Sequence, residues 1–144
     1  MESRERLRRD IHPASHPLDG DTSKGYSFGV LVDGHLWISG QVPFDHDGKL
    51  VGEDNIEAQC VQVLENLKSV VETAGGSLDD IVKLTTYITD PAFREMVLST
   101  RLRYFPGPRH PASATVVTGL AVPGVLVEIE AVAVLGATTA TPDR

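Results

Sequence analysis

The chain has 144 residues, 41% of them apolar, and a formal net charge of −7 at pH 7. This length and composition suit one domain with a single hydrophobic core. The negative charge repels phosphate backbones, and the basic residues form no stripe with interleaved aromatic side chains. We therefore expect no nucleic-acid partner.

The composition also bears on where the protein works. No stretch approaches the ~18 consecutive apolar residues of a membrane-spanning helix, and the charged N-terminal segment lacks the apolar run of a secretory signal. Cys60 is the single cysteine, so an internal disulfide is excluded. We predict a cytoplasmic protein without a membrane partner, in which Cys60 packs in the core.

Three segments are predicted along the chain. Residues 1–24 contain Pro13 and Gly20 among polar residues without periodicity, which predicts a flexible N-terminal arm. Residues 25–136 carry the periodic apolar pattern of a folded domain. Residues 137–144 are small and polar, which predicts a C-terminal tail.

The folded domain begins with a predicted β-hairpin. Residues 27–32 and 36–42 are short runs rich in Val, Ile and aromatic residues. Asp33-Gly34 lies between them, and this dipeptide tolerates the positive φ angles of a tight hairpin turn. We therefore expect two antiparallel strands joined at this dipeptide.

A helix is predicted after a polar loop. Asp54 precedes the periodic segment and Glu57 follows three residues later, as in a capping box. Apolar residues then recur every three or four positions on one face, and Gly75-Gly76 ends the helix. The apolar stripe consists of Ile56, Cys60, Val63, Leu67, Val70 and Ala74.

The remaining elements complete an α+β fold. Alternation predicts a strand over residues 81–89, and Asp90-Pro91 begins a second helix. Residues 113–120 and 126–134 are further predicted strands. The order is ββαβαββ, which indicates a mixed sheet with two helices on one face.

Several short motifs lie on or beside these predicted elements, within the predicted domain of residues 25–136. They are Ser39-Gly40-Gln41, Gln59, Asn66, Ala74-Gly75, Asp80-Ile81-Val82-Lys83, Tyr104-Phe105, His110-Pro111-Ala112 and Val127-Glu128-Ile129-Glu130-Ala131. In combination and spacing, these motifs resemble those of the Rid family, also called YjgF.

The resemblance implies a chorismate-mutase-like fold. It also implies a homotrimer whose sheets face inward, with three clefts for small-molecule ligands at the subunit interfaces. The implied activity is hydrolysis of reactive enamines and imines to a carbonyl compound and ammonia, without cofactor or metal. Such chemistry needs a cation for a substrate carboxylate, a polar pocket for the imine and a group that positions water.

The resemblance also implies roles for individual residues. Glu128 matches the family's acidic site residue, and strand alternation puts Glu130 on the same side of the strand. Tyr26 matches a tyrosine that covers the ligand, while Ser39 and Gly40 match residues that line the cleft. Each residue also has a structural interpretation: solvated carboxylates, an aromatic anchor for the first strand, and a bulge or strand end.

The sequence departs from the family at one central position. The family places an arginine directly after Pro-Ala at the start of the fourth strand, where its guanidinium grips a carboxylate with two parallel hydrogen bonds. Here that residue is Ser113, and losing such a pair in a desolvated site costs roughly 2–5 kcal/mol. Arg109, in the preceding loop, is the candidate substitute, and a solvated surface arginine is the alternative.

Three functions remain open from the sequence. The first is an enamine or imine deaminase in which Glu128 and backbone groups position water, and it needs Arg109 or another cation at the cleft. The second is a non-catalytic trimer that binds a small molecule or assists a partner enzyme. The third is an enzyme for an uncharged substrate. Ser113 fits the second and third functions without a further cation.

Overall fold

The structure is a computed structural model that describes residues 6–13 and 25–137. Most of the predicted N-terminal arm and nearly all of the predicted tail lie outside these residues. No helix within the described ranges is long and apolar enough to cross a membrane.

The described residues form one mixed sheet and two α-helices. The elements are β1 (Arg8–Ile11), β2 (Gly29–Val32), β3 (His35–Gln41), α1 (Ile56–Thr73), β4 (Ile81–Ile88), α2 (Arg94–Tyr104), β5 (Ala112–Val117) and β6 (Val127–Val134). The strand order is β1-β2-β3-β6-β4-β5, with β4 and β5 parallel and the other neighbours antiparallel. The predicted α+β fold with a mixed sheet and two helices is confirmed.

β1 (Arg8–Ile11) lies within the segment predicted as the N-terminal arm, where no strand was predicted. This strand pairs antiparallel with β2, and its last residue, Ile11, is buried in the core. Its other residues are charged, and Arg8 forms an ion pair with Asp10 (2.9 Å). Charges on an edge strand discourage further strand addition, and they also hide the apolar pattern by which strands are predicted.

The predicted β-hairpin is confirmed as β2 and β3. Asp33 and Gly34 adopt φ angles of 51° and 76°, the left-handed values that a two-residue turn requires. The strands pair with Gly29 opposite Ile38. Because side chains alternate along a strand, this register decides which residues of β3 face the helices.

The first helix is confirmed, but its N-cap is Asn55 and not Asp54. Asn55 is extended (φ −124°, ψ 99°), and its side chain accepts a hydrogen bond from the Ala58 N–H (3.0 Å). Asp54 instead adopts φ 55° in the preceding turn, a conformation that aspartate and asparagine tolerate better than most residues. The helix ends before Gly75, whose φ of 96° provides the predicted left-handed exit.

The two faces of the sheet differ in their surroundings. Alternate residues of β6 are buried beneath the helices, and the residues between them are half-buried. The α1 residues in the core are fully buried; they are Cys60, Val63, Leu64, Leu67, Val70 and Val71. The opposite side, here called the open face, carries Trp37, Ser39, Lys83, Thr85, Tyr87, Glu128, Glu130 and Val132.

Gln59 on α1 is fully buried and connects the helix to two loops. Its Nε2 donates hydrogen bonds to the carbonyls of Gly52 (3.1 Å) and Gly124 (2.9 Å), and its Oε1 accepts one from the Leu126 N–H (2.8 Å). Glu128 follows Leu126 by two residues. The Gln59 amide therefore determines where β6 begins and, through it, where Glu128 lies.

Asn66 forms a second connection about two turns further along α1. Its Nδ2 donates to the carbonyls of Val42 and Phe44, both at 2.9 Å. Its Oδ1 accepts a hydrogen bond from Gln62 Nε2 (2.8 Å). The loop after β3 is thereby held against the helix.

We predict that Gln59→Leu lowers the free energy of unfolding by roughly 2–4 kcal/mol, because two carbonyls and one N–H would lose their hydrogen-bond partner. Urea unfolding followed by circular dichroism measures this value. Gln62→Leu is the matched control, because Gln62 is half-buried and donates one side-chain hydrogen bond; there we expect a loss below about 1 kcal/mol. Equal losses in the two variants would contradict the special role of Gln59.

Candidate functional site

The open face carries a cavity between β3, β6 and β4. Its volume is about 360 Å³, which is within the range of small-molecule sites. Its walls combine the Trp37 indole with the side chains of Ser39, Lys83, Thr85 and Glu130. In the part of the chain that the structure describes, no three His, Cys, Asp or Glu side chains are grouped to hold a metal ion.

Glu128 lies against the backbone of β3 at Gly40. The pairing of β3 with β6 is irregular between Ile38 and Gln41, and Gly40 lies within that irregularity. A methyl group added at Gly40 would come within 2.9 Å of the Glu128 Cδ, which is closer than unbonded carbon atoms pack. Glycine at this position therefore lets the carboxylate lie directly on the strand.

The pKa of Glu128 is raised above its ordinary value. Loss of solvent around the carboxyl group is the main cause, and the negative charge of Glu130 is the second. Among residues 6–13 and 25–137, none donates a hydrogen bond to this carboxylate. A carboxyl group with a raised pKa can exchange its proton nearer to neutral pH, as general acid–base catalysis requires.

Ser39 and Tyr26 are linked through the residues before β2. The Ser39 hydroxyl donates to the Ser27 carbonyl (2.5 Å), and its backbone N–H donates to the Phe28 carbonyl (2.9 Å). Tyr26 packs edge-on against Phe28 with ring centroids 6.0 Å apart, and 51% of its surface is exposed. These contacts bring Tyr26 near Ser39, at the end of β3 where Glu128 lies.

Tyr87, which was not selected from the sequence, completes this group. Its hydroxyl donates a hydrogen bond to Glu130 Oε1 (2.7 Å). Tyr87 pairs directly opposite Glu128, and Thr85 pairs opposite Glu130, so the phenol reaches diagonally across the strands. Alternation over residues 81–89 does predict the side of β4 that Tyr87 occupies, but only the pairing of β4 with β6 brings it to the carboxylates.

Ser113 lies on the other face of the sheet from Glu128. In the parallel β4–β5 ladder it pairs with Leu84, which is fully buried beneath the helices. Glu128 instead pairs with Tyr87 on the open face. Because paired residues project to the same side of a sheet, Ser113 and Glu128 of one chain point away from each other.

Arg109 is engaged beyond the far end of β6. Its Nη1 donates to the Ala137 carbonyl (3.2 Å), and Ala137 comes three residues after Val134, where β6 ends. The stretch of β6 from Glu128 to Val134 spans roughly 20 Å at the usual rise per residue. Arg109 therefore does not reach the Glu128 of its own chain.

The strand that carries Ser113 is an exposed edge. All residues of β5 are exposed, and Val117 keeps 51% of its surface accessible. An edge strand with exposed apolar side chains is a template for contact with another chain. The predicted site residues thus form one group around Glu128 and a separate position at Ser113, and a single chain does not join them.

Comparisons with known proteins place this arrangement in a family context. The model of the family described as Endoribonuclease L-PSP matches residues 18–135. A Rid-family protein from Yersinia pestis is 36% identical with a TM-score of 0.81, and the match covers 90% of this chain and 100% of that chain. RidA from an Antarctic Psychrobacter is 32% identical with a TM-score of 0.78, covering 88% and 99%. A YjgF-family member from Mycobacterium tuberculosis is 28% identical with a TM-score of 0.74, covering 90% and 100%.

We predict that Glu128→Gln stabilises the folded protein at neutral pH. The raised pKa means that the folded state favours the protonated carboxyl group, so the ionised group lowers stability as the pH rises through its folded-state pKa. Thermal unfolding at several values between about pH 4 and pH 8 measures this effect. The variant should have the higher melting temperature at neutral pH, and the difference should vanish where glutamate is protonated in both states.

The control for this prediction is Glu53→Gln, at an exposed loop position. We expect no comparable pH-dependent difference there. A Glu128→Gln variant that melts below the wild type at neutral pH would show that the Glu128 charge is stabilised in the fold, contrary to its desolvated setting.

Proposed function

We propose a hydrolytic function from the premise that this chain belongs to the Endoribonuclease L-PSP family, the family of the Rid and YjgF proteins. The proposed reaction converts small enamines or imines to the carbonyl compound and ammonia. The proposed enzyme is a homotrimer whose sites lie at the subunit interfaces. The observation that carries the proposal is the Glu128 carboxyl group, which is half-buried, has a raised pKa and lies on Gly40 beside Ser39.

In the proposed reaction, the Glu128 carboxyl donates its proton to the imine nitrogen while a water oxygen adds to the imine carbon. The resulting carboxylate then takes a proton from the added water. The Glu128 carboxyl group then gives a proton to the carbinolamine nitrogen and takes the hydroxyl proton. The carbon–nitrogen bond breaks, ammonia leaves and the carbonyl forms, so one water is consumed and the Glu128 proton is restored. The raised pKa of Glu128 suits both transfers. No cofactor or metal is needed in this scheme.

The positions of Ser113 and Glu128 support a site at the interface between subunits. Ser113 and Glu128 project from opposite faces of one sheet, so a cleft containing both needs two chains. β5 offers an exposed edge for such a contact. In the proposed trimer, Ser113 of one chain and the Glu128 group of its neighbour line one cleft, with Tyr26 as a cover.

The substrate class depends on which cation, if any, enters the cleft. Arg109 would have to come from a neighbouring chain and give up its bond to the Ala137 carbonyl. This engagement favours a second candidate function, in which the trimer acts on an uncharged substrate or binds a small molecule without turnover. Ser113 supplies a hydroxyl for such a ligand, and no charge-assisted pair is lost.

The family description names an endoribonuclease, but a net charge of −7 does not favour RNA binding. We therefore do not propose RNA cleavage.

Cys60 is fully buried, and burial raises the pKa of its thiol to about 12. We propose a cytoplasmic location, because a protonated thiol that forms no disulfide is typical of a reducing compartment.

We predict that the wild-type protein accelerates ammonia release from freshly generated 2-iminobutyrate. Glu128→Ala should lower kcat/KM at least roughly 100-fold, because it removes the proton carrier. Gly40→Ala should also lower kcat/KM, by about tenfold or more, because the added methyl displaces the carboxylate. Gly119→Ala is the matched control, since no described residue other than its two chain neighbours comes within 4 Å of an added methyl at that position.

Two outcomes would contradict the proposed imine hydrolysis. A wild-type protein that is inert while Ser113→Arg gains activity would mean an intact cleft that does not take 2-imino acids, and the uncharged-substrate function would replace the first proposal. In the second outcome, the Gly40→Ala and Gly119→Ala variants are equally active and Glu128→Ala keeps the wild-type activity. Glu128 would then have no role in the reaction.

We predict that light scattering gives three times the 15.5 kDa mass of one chain. Val117→Glu should reduce this mass and the rate of ammonia release together, because it puts a charge on the exposed β5 edge. Leu102→Glu is the control, since Leu102 is an exposed apolar residue on α2 with 55% of its surface accessible. An intact trimer in the Val117 variant would contradict an interface at β5.

A further inference from the structure

The hydrogen bond between Tyr87 and Glu130 gives the two carboxylates of the open face unlike surroundings. Tyr87 stands directly opposite Glu128 across the β4–β6 ladder, yet its hydroxyl is bonded to Glu130 Oε1 at 2.7 Å. A diagonal neighbour is within reach of a tyrosine side chain in an antiparallel pair. The Tyr87 hydroxyl therefore does not bond to Glu128, its direct partner in the ladder, but to Glu130, two residues further along β6.

This bond orients the Glu130 carboxylate and engages the Tyr87 hydroxyl. A phenol that donates to a carboxylate forms a short, charge-assisted hydrogen bond and favours the ionised acceptor. The hydrogen bond is the main cause that raises the pKa of Tyr87, and desolvation is the second. Tyr87 therefore remains a donor at neutral pH.

Glu128 has the opposite surroundings. Its carboxylate lies on the Gly40 backbone, and no described residue donates a hydrogen bond to it. The charge that raises the pKa of Glu128 is that of Glu130, two residues along the same face of β6. When two neighbouring carboxyl groups differ in this way, the one without a donor retains the proton.

Other charged groups face this pair from the remaining strands. Lys83 on β4 lines the cavity together with Glu130, and His35 on β3 lies at the far end of the face, opposite Val134. On β1, Arg8 and Asp10 pair with residues of β2 that belong to the open face. The β5 residues on this face are alanine and valine, which carry no charge. These groups stay the same in the variants below, so they provide a constant background.

We propose that Tyr87 is a positioning residue: its hydrogen bond holds the Glu130 carboxylate and leaves Glu128, which has no described donor, as the group that carries the exchangeable proton. The catalytic consequence rests on the proposed imine hydrolysis. In that reaction Glu128 must begin as the acid, and Tyr87 acts on it only through Glu130. Neither Tyr87 nor Glu130 needs to touch the substrate.

The test is a carboxyl-carbon NMR titration of the full-length protein labelled at glutamate, with Glu128→Gln used to assign the Glu128 signal. Glu130→Gln should lower the titration midpoint of Glu128 by roughly half a pH unit or more, because it removes the neighbouring negative charge. Tyr87→Phe should lower the Glu128 midpoint, because the two carboxyl groups then compete for one proton.

Tyr104→Phe is the matched control. Tyr104 also donates to a glutamate, Glu65, at 2.8 Å, but this pair joins the two helices, away from the open face. A Tyr87→Phe variant whose Glu128 midpoint matches those of the wild type and of Tyr104→Phe would overturn the proposal. So would a Glu130→Gln variant without a shift.

The titration needs no turnover, so it separates this proposal from the proposed reaction. If ammonia release is absent and the midpoints still shift, Tyr87 acts on Glu128 through Glu130 as proposed, and the proposed imine hydrolysis is wrong. If ammonia release is present, the alkaline limb of kcat/KM should move to lower pH in Tyr87→Phe and stay in place in Tyr104→Phe. An unmoved limb together with unmoved midpoints would leave Tyr87 a structural residue only, which contradicts the proposal.

Discussion

The buried amide of Gln59 is the interaction on which the arrangement of the site depends. Its fully buried side chain joins α1 to the loop at Gly52 and to the residues that lead into β6 through three hydrogen bonds. A buried polar group of this kind is strongly destabilising when its partners are absent, so it selects one arrangement of the loops over others. Because Glu128 lies near the start of β6, its place on Gly40 follows from a contact made on the opposite side of the sheet.

The open face has properties that do not favour the stability of an isolated chain. It holds the Glu128 carboxyl group in a desolvated setting, and it leaves 57% of the Trp37 surface exposed. The adjoining strand β5 is exposed along its whole length. Exposed apolar area and a desolvated charge are typical of surfaces that serve binding and catalysis. The same features are those that neighbouring chains would cover in the proposed trimer.

Local rules predicted the parts of the fold whose signals are local. Asp33-Gly34 forms the expected turn because its φ angles are set by the residues themselves, and α1 forms because its apolar stripe has the helical period. The N-cap is Asn55, whereas Asp54 was predicted. Both residue types can cap a helix, and the conformation of the preceding turn decides between them. β1 was missed because its charged residues carry no strand period, and only pairing with β2 makes it a strand.

The sequence by itself determined the elements other than β1, their order, the single core and the family motifs, because periodicity, turn residues and spacing are properties of the chain alone. It also singled out Glu128, Ser39 and Gly40 as a possible group. Only the tertiary structure decided that Ser113 faces away from Glu128, that Arg109 is engaged beyond the far end of β6, and that Tyr87 holds Glu130. These facts depend on which strands are neighbours and in which register, and strand pairing joins residues far apart in sequence through contacts that no local pattern records.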